Sequence, residues 1–548
     1  MTLPEKAQPS HWIEKIVTDL EHRGEDKIVF STAKTPSGPI HVGISRELIY
    51  CSVFERILRE RGFKTEFLFF VDDFDSIKKF PPAVPKEFTK HTEYLGKPMY
   101  NVPCPYNHCE SWGKHYGQEL LDTFPSFGLY PRITWSHNLY DTSEMKNVIR
   151  TTLERVQTLR EILLNIVGPT LKGEKLESFK KDLQTWYPCL VLCEKCGKLK
   201  TTQVTGHNPS KDTVSYICTD CGYKGEVAIR NWKIKLRWRI DWPAKWYLFK
   251  VSCEPAGKDH CVKGGAYDTG EEICRKIFGR KGPYRIPYEW LLLGDRAMKT
   301  HKGISFTFAE WLAVAPPETL RFMILREDPR KHISFLPERM PQLIDEFERA
   351  EQIYFGIEKT ANVEEEKSLK YIYPLTLPQT VSKSPPVRLP YRFAIILSQL
   401  QPLLSEEKIL GKSIDVVKKL YGKTELTQEE VEGIKERLRK AQYWVKNYAP
   451  EEMKIKITDS ISLEIKQKLD EKQKQGLQTI AEMMEGKDWS DRELQYEIFE
   501  LGKKLGIGTK IFEAVYLTFL GKKFGPRLAP FLLSLEREFA IKRLREAV

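Results

Sequence analysis

The chain has 548 residues, of which 41% are hydrophobic and 30% charged, and a formal net charge of +12. That length is too great for one hydrophobic core and predicts three to five domains or subdomains of ordinary globular composition. No apolar run approaches the roughly 20 residues that span a bilayer, and MTLPEKAQPSHWIEK lacks an apolar signal core, so a cytosolic protein with no membrane role is expected.

Residues 11–23 read as an amphipathic helix. The next stretch, KIVFSTAKTPSGPIHVG, organises the rest. Its first residues, 27–30, form a β-branched apolar run that predicts a buried strand. Thr35, Pro36, Ser37, Gly38 and Pro39 make a rigid turn, and a helical pattern starts at about His41. Strand, tight turn and helix present a helix N-terminus to an anionic ligand. Gly38 and Gly43 let phosphate or adenine approach the backbone, and His41 sits where its ring can donate to a phosphate oxygen. A second strand, 65–71, ends in Asp72, Asp73 and Asp75. These face the ligand crevice of a parallel sheet, where they could serve a ribose, a substrate amine or Mg²⁺; a solvated acidic loop is the plainer reading.

Between about 86 and 230 the βα rhythm breaks, which predicts an insertion. Cys193 and Cys196 form CEKC, Cys218 and Cys221 form CTDC, and 21 residues separate the pairs. Clustered cysteine pairs in a cytosolic chain argue for metal before disulfide, and four thiolates at this spacing suit a structural Zn²⁺ ribbon. Cys104, His108, Cys109 and His115 offer a less regular second Zn²⁺ site, with a surface loop as the alternative. A single long helix is expected over 143–166.

The sheet is expected to resume near Trp232. Four tryptophans (232, 238, 242, 246) surround Asp241, and such a cluster offers flat walls for methylenes and a counter-charge for an ammonium. A strand is expected over 246–251. The loop that follows carries Gly257, Asp259 and His260 and fits a nucleotide contact. A helix over 269–279 and a buried strand over 288–293 come next, and then the basic loop GDRAMKTHKGISF. From Ala315 a helical connector begins. Residues 363–390, rich in proline, lysine and serine, predict an irregular connection. Helical periodicity follows at 393–404, 427–448, 460–485 and 491–505, with two or three further helices to the end. In the last part Lys510, Lys522, Lys523 and Arg527 lie beside Tyr516 and Phe519. Cations interleaved with rings suit single-stranded RNA, although packed helices with solvated lysines explain them equally well.

PSGPIHVG resembles the HIGH signature of class I aminoacyl-tRNA synthetases, with His41, Val42 and Gly43 as its first three letters and Ile44 in place of the second histidine. The basic loop stands where these enzymes carry KMSKS; its register gives Ala297, Met298, Lys299, Thr300, His301, Lys302 and Gly303, so the first lysine of the pattern is missing. SIKKFP, the tryptophan stretch, APPETLRFMILREDPRKHISF and GKKFGPR resemble the archaeal-type class I lysyl-tRNA synthetases over most of the chain. The fold so implied is α/β: a Rossmann-like parallel-sheet nucleotide-binding domain with a zinc-binding insertion, then an all-α C-terminal anticodon-binding domain. The implied boundaries are 1–90 and 231–312 for the two catalytic halves, 91–230 for the insert, 313–375 for the connector and 376–548 for the helical domain.

The resemblance implies ATP-dependent activation of L-lysine and transfer to the 3′ terminal adenosine of tRNA(Lys), at the 2′-hydroxyl, with Mg²⁺ accompanying ATP. It implies His41, Lys299 and Lys302 as catalytic residues. Pro36, Ser37, Gly38, His41, Gly43, Gly257, Asp259, Met298 and Lys302 would contact ATP. Thr32, Trp238, Asp241, His260 and Tyr288 would form the lysine pocket, and Lys510, Tyr516, Lys522, Lys523 and Arg527 would touch tRNA. Two rival readings stand beside it: a class I synthetase for another amino acid such as glutamate, and a non-catalytic, zinc-containing RNA-binding protein.

Overall fold

The computed structural model describes residues 11–300, 303–401, 403–458 and 460–548. The chain forms two compact units. One comprises Met1–Trp311, Pro317–Phe335 and Lys359–Val381; the other comprises Leu312–Pro316, Leu336–Glu358 and Ser382–Val548. The connector expected over 313–375 is thus divided between them.

The first unit is built on five parallel strands: β1 (Ile28–Lys34), β2 (Thr65–Val71), β3 (Arg132–Trp135), β4 (Cys253–Gly257) and β5 (Tyr284–Tyr288). Their order is β5-β4-β1-β2-β3. The chain therefore moves outward from β1 on one side and outward from β4 on the other, and the ligand crevice of such a sheet opens at the strands' C-terminal ends where the direction reverses. β1 is buried through its first five residues, as a strand covered on both faces requires. It pairs with β2 from Ile28↔Thr65 to Lys34↔Val71. The helix Ser45–Glu60 follows the turn and buries Leu48, Ile49, Val53 and Ile57.

Three sequence expectations for this unit fail for local reasons. The helix expected over 143–166 is two, Ser143–Glu154 and Val156–Val167, parted at Arg155. The strand expected over 246–251 is the end of a helix, Trp238–Leu248. Its tryptophans recur every four residues, the spacing of a helix face rather than of a strand, and the sheet resumes only at Cys253. The strand expected over 288–293 is split: Tyr288 ends β5, whereas Leu291–Leu293 belongs to a second sheet with Arg296–Ala297 and Ile333–Phe335. The buried Arg46 guanidinium stabilises this break by donating to the carbonyls of Glu289 (2.6 Å) and Lys331 (2.9 Å).

The insert contributes a two-stranded pair, Cys189–Val191 with Ile234–Leu236, and a three-stranded antiparallel sheet, Thr202–Asn208, Thr213–Cys218 and Lys224–Ala228. Ile234–Leu236, near the expected return to the main sheet, thus pairs inside the insert. Val191, Tyr216 and Ile234 share one hydrophobic core with Val29, Leu68 and Phe70 of the main sheet, so the insert is anchored by the core beneath the crevice.

The stretch 363–390 is not irregular throughout: Val363–Thr376 is a helix capped by Asn362. Its Pro374 lies in the last turn, near enough to the helix end that little ladder is lost. The second unit is helical. The periodicity over 460–485 resolves into Leu463–Lys468 and Glu471–Gly486, because Asp470 restarts the chain with a capping box to Gln473. That over 393–404 is the shorter helix Tyr391–Ser398. A further helix, Glu406–Tyr421, lies between the expected ones; its Ser405 N-cap and left-handed Gly422 are ordinary helix start and stop signals. Among the described residues no helix is long and apolar enough to cross a membrane.

Candidate active site

A cavity of about 460 Å³ opens at the C-terminal ends of β1 and β4. It is lined by Ser37, His41 and Gly43 from the turn after β1, by Trp238 and Trp242, by Gly257 at the end of β4 and Asp259 and His260 after it, and by Ala297, Met298 and Lys299. The two signature-like segments, more than 250 residues apart, therefore share one site. They are hydrogen-bonded together: the Val42 amide donates to Phe306 O at 2.8 Å, and the Thr300 hydroxyl donates to Pro39 O at 3.0 Å. Lys299 and Ile304 pair as the base of a short antiparallel turn. His301 and Lys302 lie outside the described residues.

His41 caps the first helical turn. Its Nδ1 accepts the Gly43 amide at 3.1 Å, which leaves the proton of the neutral ring on Nε2. Burial, reinforced by the nearby Lys34 ammonium, pushes its pKa down to about 3. The ring is thus a neutral donor. Gly43 is required beneath it, since a Cβ there would lie 2.6 Å from the imidazole. Gly38 is needed for a different reason from the one expected. It does not line the cavity; a Cβ on it would meet Pro81 at 2.7 Å and Thr300 at 2.9 Å. Pro36 is also withdrawn, its carbonyl accepting the Trp112 indole at 3.0 Å.

The expected amino-acid pocket divides. Trp238, His260 and Tyr288 line the cavity; Trp238 stacks on Trp242 at 5.2 Å, and His260 lies 5.1 Å from Trp238. Asp241 is at the wall but already neutralised. It is ion-paired with Lys235 (2.9 Å) and Lys245 (3.0 Å) and accepts the Tyr140 hydroxyl at 2.6 Å. Burial alone would raise its pKa; the two lysines outweigh this and hold it below the usual carboxylate range. Asp72 is likewise engaged, by Lys245 and by the Ser136 hydroxyl. Asp73 takes the His137 ring, and Asp75 accepts Thr35 Oγ1 at 3.1 Å. Thr32 does not face the cavity: its hydroxyl donates to Glu47, as does that of Tyr288.

Two carboxylates that the sequence did not single out line the cavity instead. Glu254 on β4, only 5% exposed, accepts the indole N–H groups of Trp242 (2.6 Å) and Trp246 (2.7 Å) and the Ser31 hydroxyl. Burial raises its pKa to about 7 against those bonds. Glu47 is raised by burial as well. Among the described residues neither has a lysine or arginine within ion-pair distance. Their donors come from three separate elements, β1, β5 and the helix Trp238–Leu248, so only the Glu-x-Ala-Gly sequence at a strand end could have hinted at Glu254.

Residues 10–379 match the family model described as tRNA synthetases class I (K), and residues 396–548 match an anticodon binding domain. The chain belongs to the class I tRNA synthetases. It is 33% identical to a lysine–tRNA ligase of Methanocaldococcus jannaschii, over 97% of this chain and 99% of the relative. It is 35% identical to one of Pyrococcus furiosus, over 98% and 99%, and 32% identical to one of Methanococcus maripaludis, over 97% and 99%.

The synthetase also carries two metal-type clusters away from the cavity. In each of Cys193/Cys196/Cys218/Cys221 and Cys104/His108/Cys109/His115 the four ligand atoms lie within 4.8 Å of one another. In the helical unit Lys510, Lys523 and Arg527 are exposed; Lys523 pairs with Glu513 at 2.9 Å, and Lys522 donates to Glu451 O at 3.2 Å. Tyr516 does not offer a stacking face. It is 8% exposed, and its hydroxyl donates to Pro526 O. Phe519 is fully buried, and the ring exposed beside these cations is Phe524, at 57%.

Proposed function

We propose that the synthetase activates L-lysine with ATP and transfers it to the 3′ terminal adenosine of tRNA(Lys). The observation that carries this reading is the pair of cavity carboxylates, Glu254 and Glu47, neither of which has a lysine or arginine within ion-pair distance among the described residues, beside the Trp238–Trp242 wall. A buried carboxylate without a counter-ion favours a ligand that brings one, and flat indoles suit the methylenes of a lysine side chain. A glutamate side chain would bring like charge to the same wall. The lysine carboxylate attacks the α-phosphorus of ATP and pyrophosphate leaves, a step governed by positioning and by donors to the phosphoryl oxygens. His41 donates from Nε2, and Lys299 and Lys302 serve the leaving pyrophosphate. ATP with Mg²⁺, lysine and tRNA(Lys) are the substrates and partners this requires.

The test is amino-acid-dependent pyrophosphate exchange. Lysine should support it and glutamate should not; exchange with glutamate alone would overturn the assignment, and ATP binding without exchange would favour the RNA-binding alternative. Glu254→Gln is expected to raise KM for lysine roughly 10- to 100-fold, the value of one charge-assisted hydrogen bond. A carboxyl with a pKa of about 7 must release its proton to receive an ammonium. For the parent enzyme, kcat/KM for lysine should therefore climb as pH rises through 7 and level off above it; the variant should lack that step.

Both clusters suit structural Zn²⁺. The Cys193–Cys221 and Cys196–Cys218 sulfurs lie 3.6 and 3.7 Å apart, close to the edge of about 3.8 Å set by four tetrahedral Zn–S bonds. His108 Nε2 and His115 Nδ1 are 3.0 Å apart, so the adjacency of His108 and Cys109 does not keep the ligands from converging. Elemental analysis should find two zinc ions per chain. Cys193→Ser should lower the count to one and reduce the melting temperature, since a closed thiolate site contributes to folding; a zinc-free parent protein of unchanged stability would refute the assignment.

A further inference from the structure

Lys34 is the last residue of β1, and its side chain lines the cavity with His41, Gly43 and Glu47. Among the described residues its ammonium makes no hydrogen bond and no ion pair. Lys245, which also lines the cavity, behaves differently: it is committed to Asp72 and Asp241. An unpaired cation in a recess is a cost to the empty fold, because its water is stripped away without a full replacement. Burial accordingly lowers the Lys34 pKa, with Glu47 pulling it partly back. The group is close enough to His41 to depress the imidazole's pKa. It therefore stands beside the donor assigned to the phosphates, on a rigid strand. The loop facing it lacks a cation where Ala297 lines the cavity.

We propose that Lys34 is a further catalytic cation of the synthetase, meeting the non-bridging oxygens of the ATP α-phosphate. This rests on the activation reaction proposed above. As the amino-acid carboxylate oxygen bonds to the α-phosphorus, the bond to the bridging oxygen breaks and its electron pair leaves with pyrophosphate. The ammonium stays protonated throughout and stabilises the charge on the oxygens left behind. An ammonium fixed at the end of β1 would thus supply positive charge at the α-phosphate to add to that of Lys299 and Lys302, in a loop that carries Ala297 in place of the first lysine of the pattern.

Lys34→Met keeps the length and removes the charge. It should slow lysine-dependent pyrophosphate exchange roughly 10- to 100-fold and weaken ATP binding about tenfold, with KM for lysine little changed. Lys34→Arg should recover part of the rate. The melting temperature of Lys34→Met should stay level or rise, whereas a lysine kept for structure would lower it. Exchange within twofold of the parent, or a raised lysine KM with unchanged ATP affinity, would overturn the proposal; the second result would assign Lys34 to the amino-acid carboxylate. If the parent is silent with lysine but ATP affinity still falls in Lys34→Met, the lysine reading fails and the phosphate assignment survives.

Discussion

His41→Ala is expected to slow adenylate formation by roughly 10²–10³-fold, the loss typical of one preorganised donor to a developing oxyanion. ATP affinity should change far less, because the donor matters most when charge accumulates. The expectation follows from the ring's state. Nδ1 is occupied by the Gly43 amide, so only Nε2–H is free to donate, and a pKa of about 3 keeps the ring neutral at any pH where the enzyme is folded and active. The His41-dependent part of the rate should thus be flat from about pH 5 to 8. A rate that falls as a group near pH 6.5 loses its proton would mean an imidazolium and would contradict this account. His41→Asn places an amide donor at similar reach and should recover part of the loss. Single-turnover measurement of adenylate decides the matter: an alanine variant as fast as the parent removes His41 from the reaction.

The features legible in the sequence were those whose physics is local. The β1–turn–helix segment announces itself through a β-branched run, Pro36, Pro39 and the glycines, and its fold is as expected. The cysteine knuckles are similarly self-contained, with all eight candidate ligands converging in two groups. What could not be read was the pairing of charges across the fold. Asp241 looked like a counter-charge for substrate because its tryptophan neighbours were visible. Whether Lys235 and Lys245 reach it depends on the strand Ile234–Leu236 and the helix Trp238–Leu248, where the sequence pattern predicts a return to the main sheet and no helix. Glu254 does not stand out in the sequence for the converse reason: its environment is made by Ser31, Trp242 and Trp246, which lie on other elements. For Tyr516 the sequence leaves both readings open, because a basic, aromatic-rich stretch does not reveal which of its rings faces inward; Tyr516 packs and Phe524 is exposed.

The reassignment of Asp241 leads to the other large expected effect. Asp241→Asn should destabilise the catalytic unit by about 3–5 kcal/mol, the usual cost of removing one partner from a buried ion pair. Asp241 is 1% exposed, and Lys235 and Lys245 are 2% exposed each. Lys245 would keep Asp72, whereas Lys235 would be left with Asp75 at 3.8 Å and the Tyr140 hydroxyl. The carboxylate's pKa is held low in the fold by the two lysines. Its contribution to stability is therefore present above the unfolded value near 4 and is lost as pH falls below it. The double variant Asp241→Asn/Lys235→Met should regain much of the lost stability, because removing both members of a buried pair leaves no orphaned charge. Urea unfolding followed by fluorescence of the tryptophan cluster would report both effects. A residue that instead met the substrate ammonium would behave in the opposite way: Asp241→Asn would raise KM for lysine and leave the unfolding midpoint in place, and the Lys235 replacement would restore nothing.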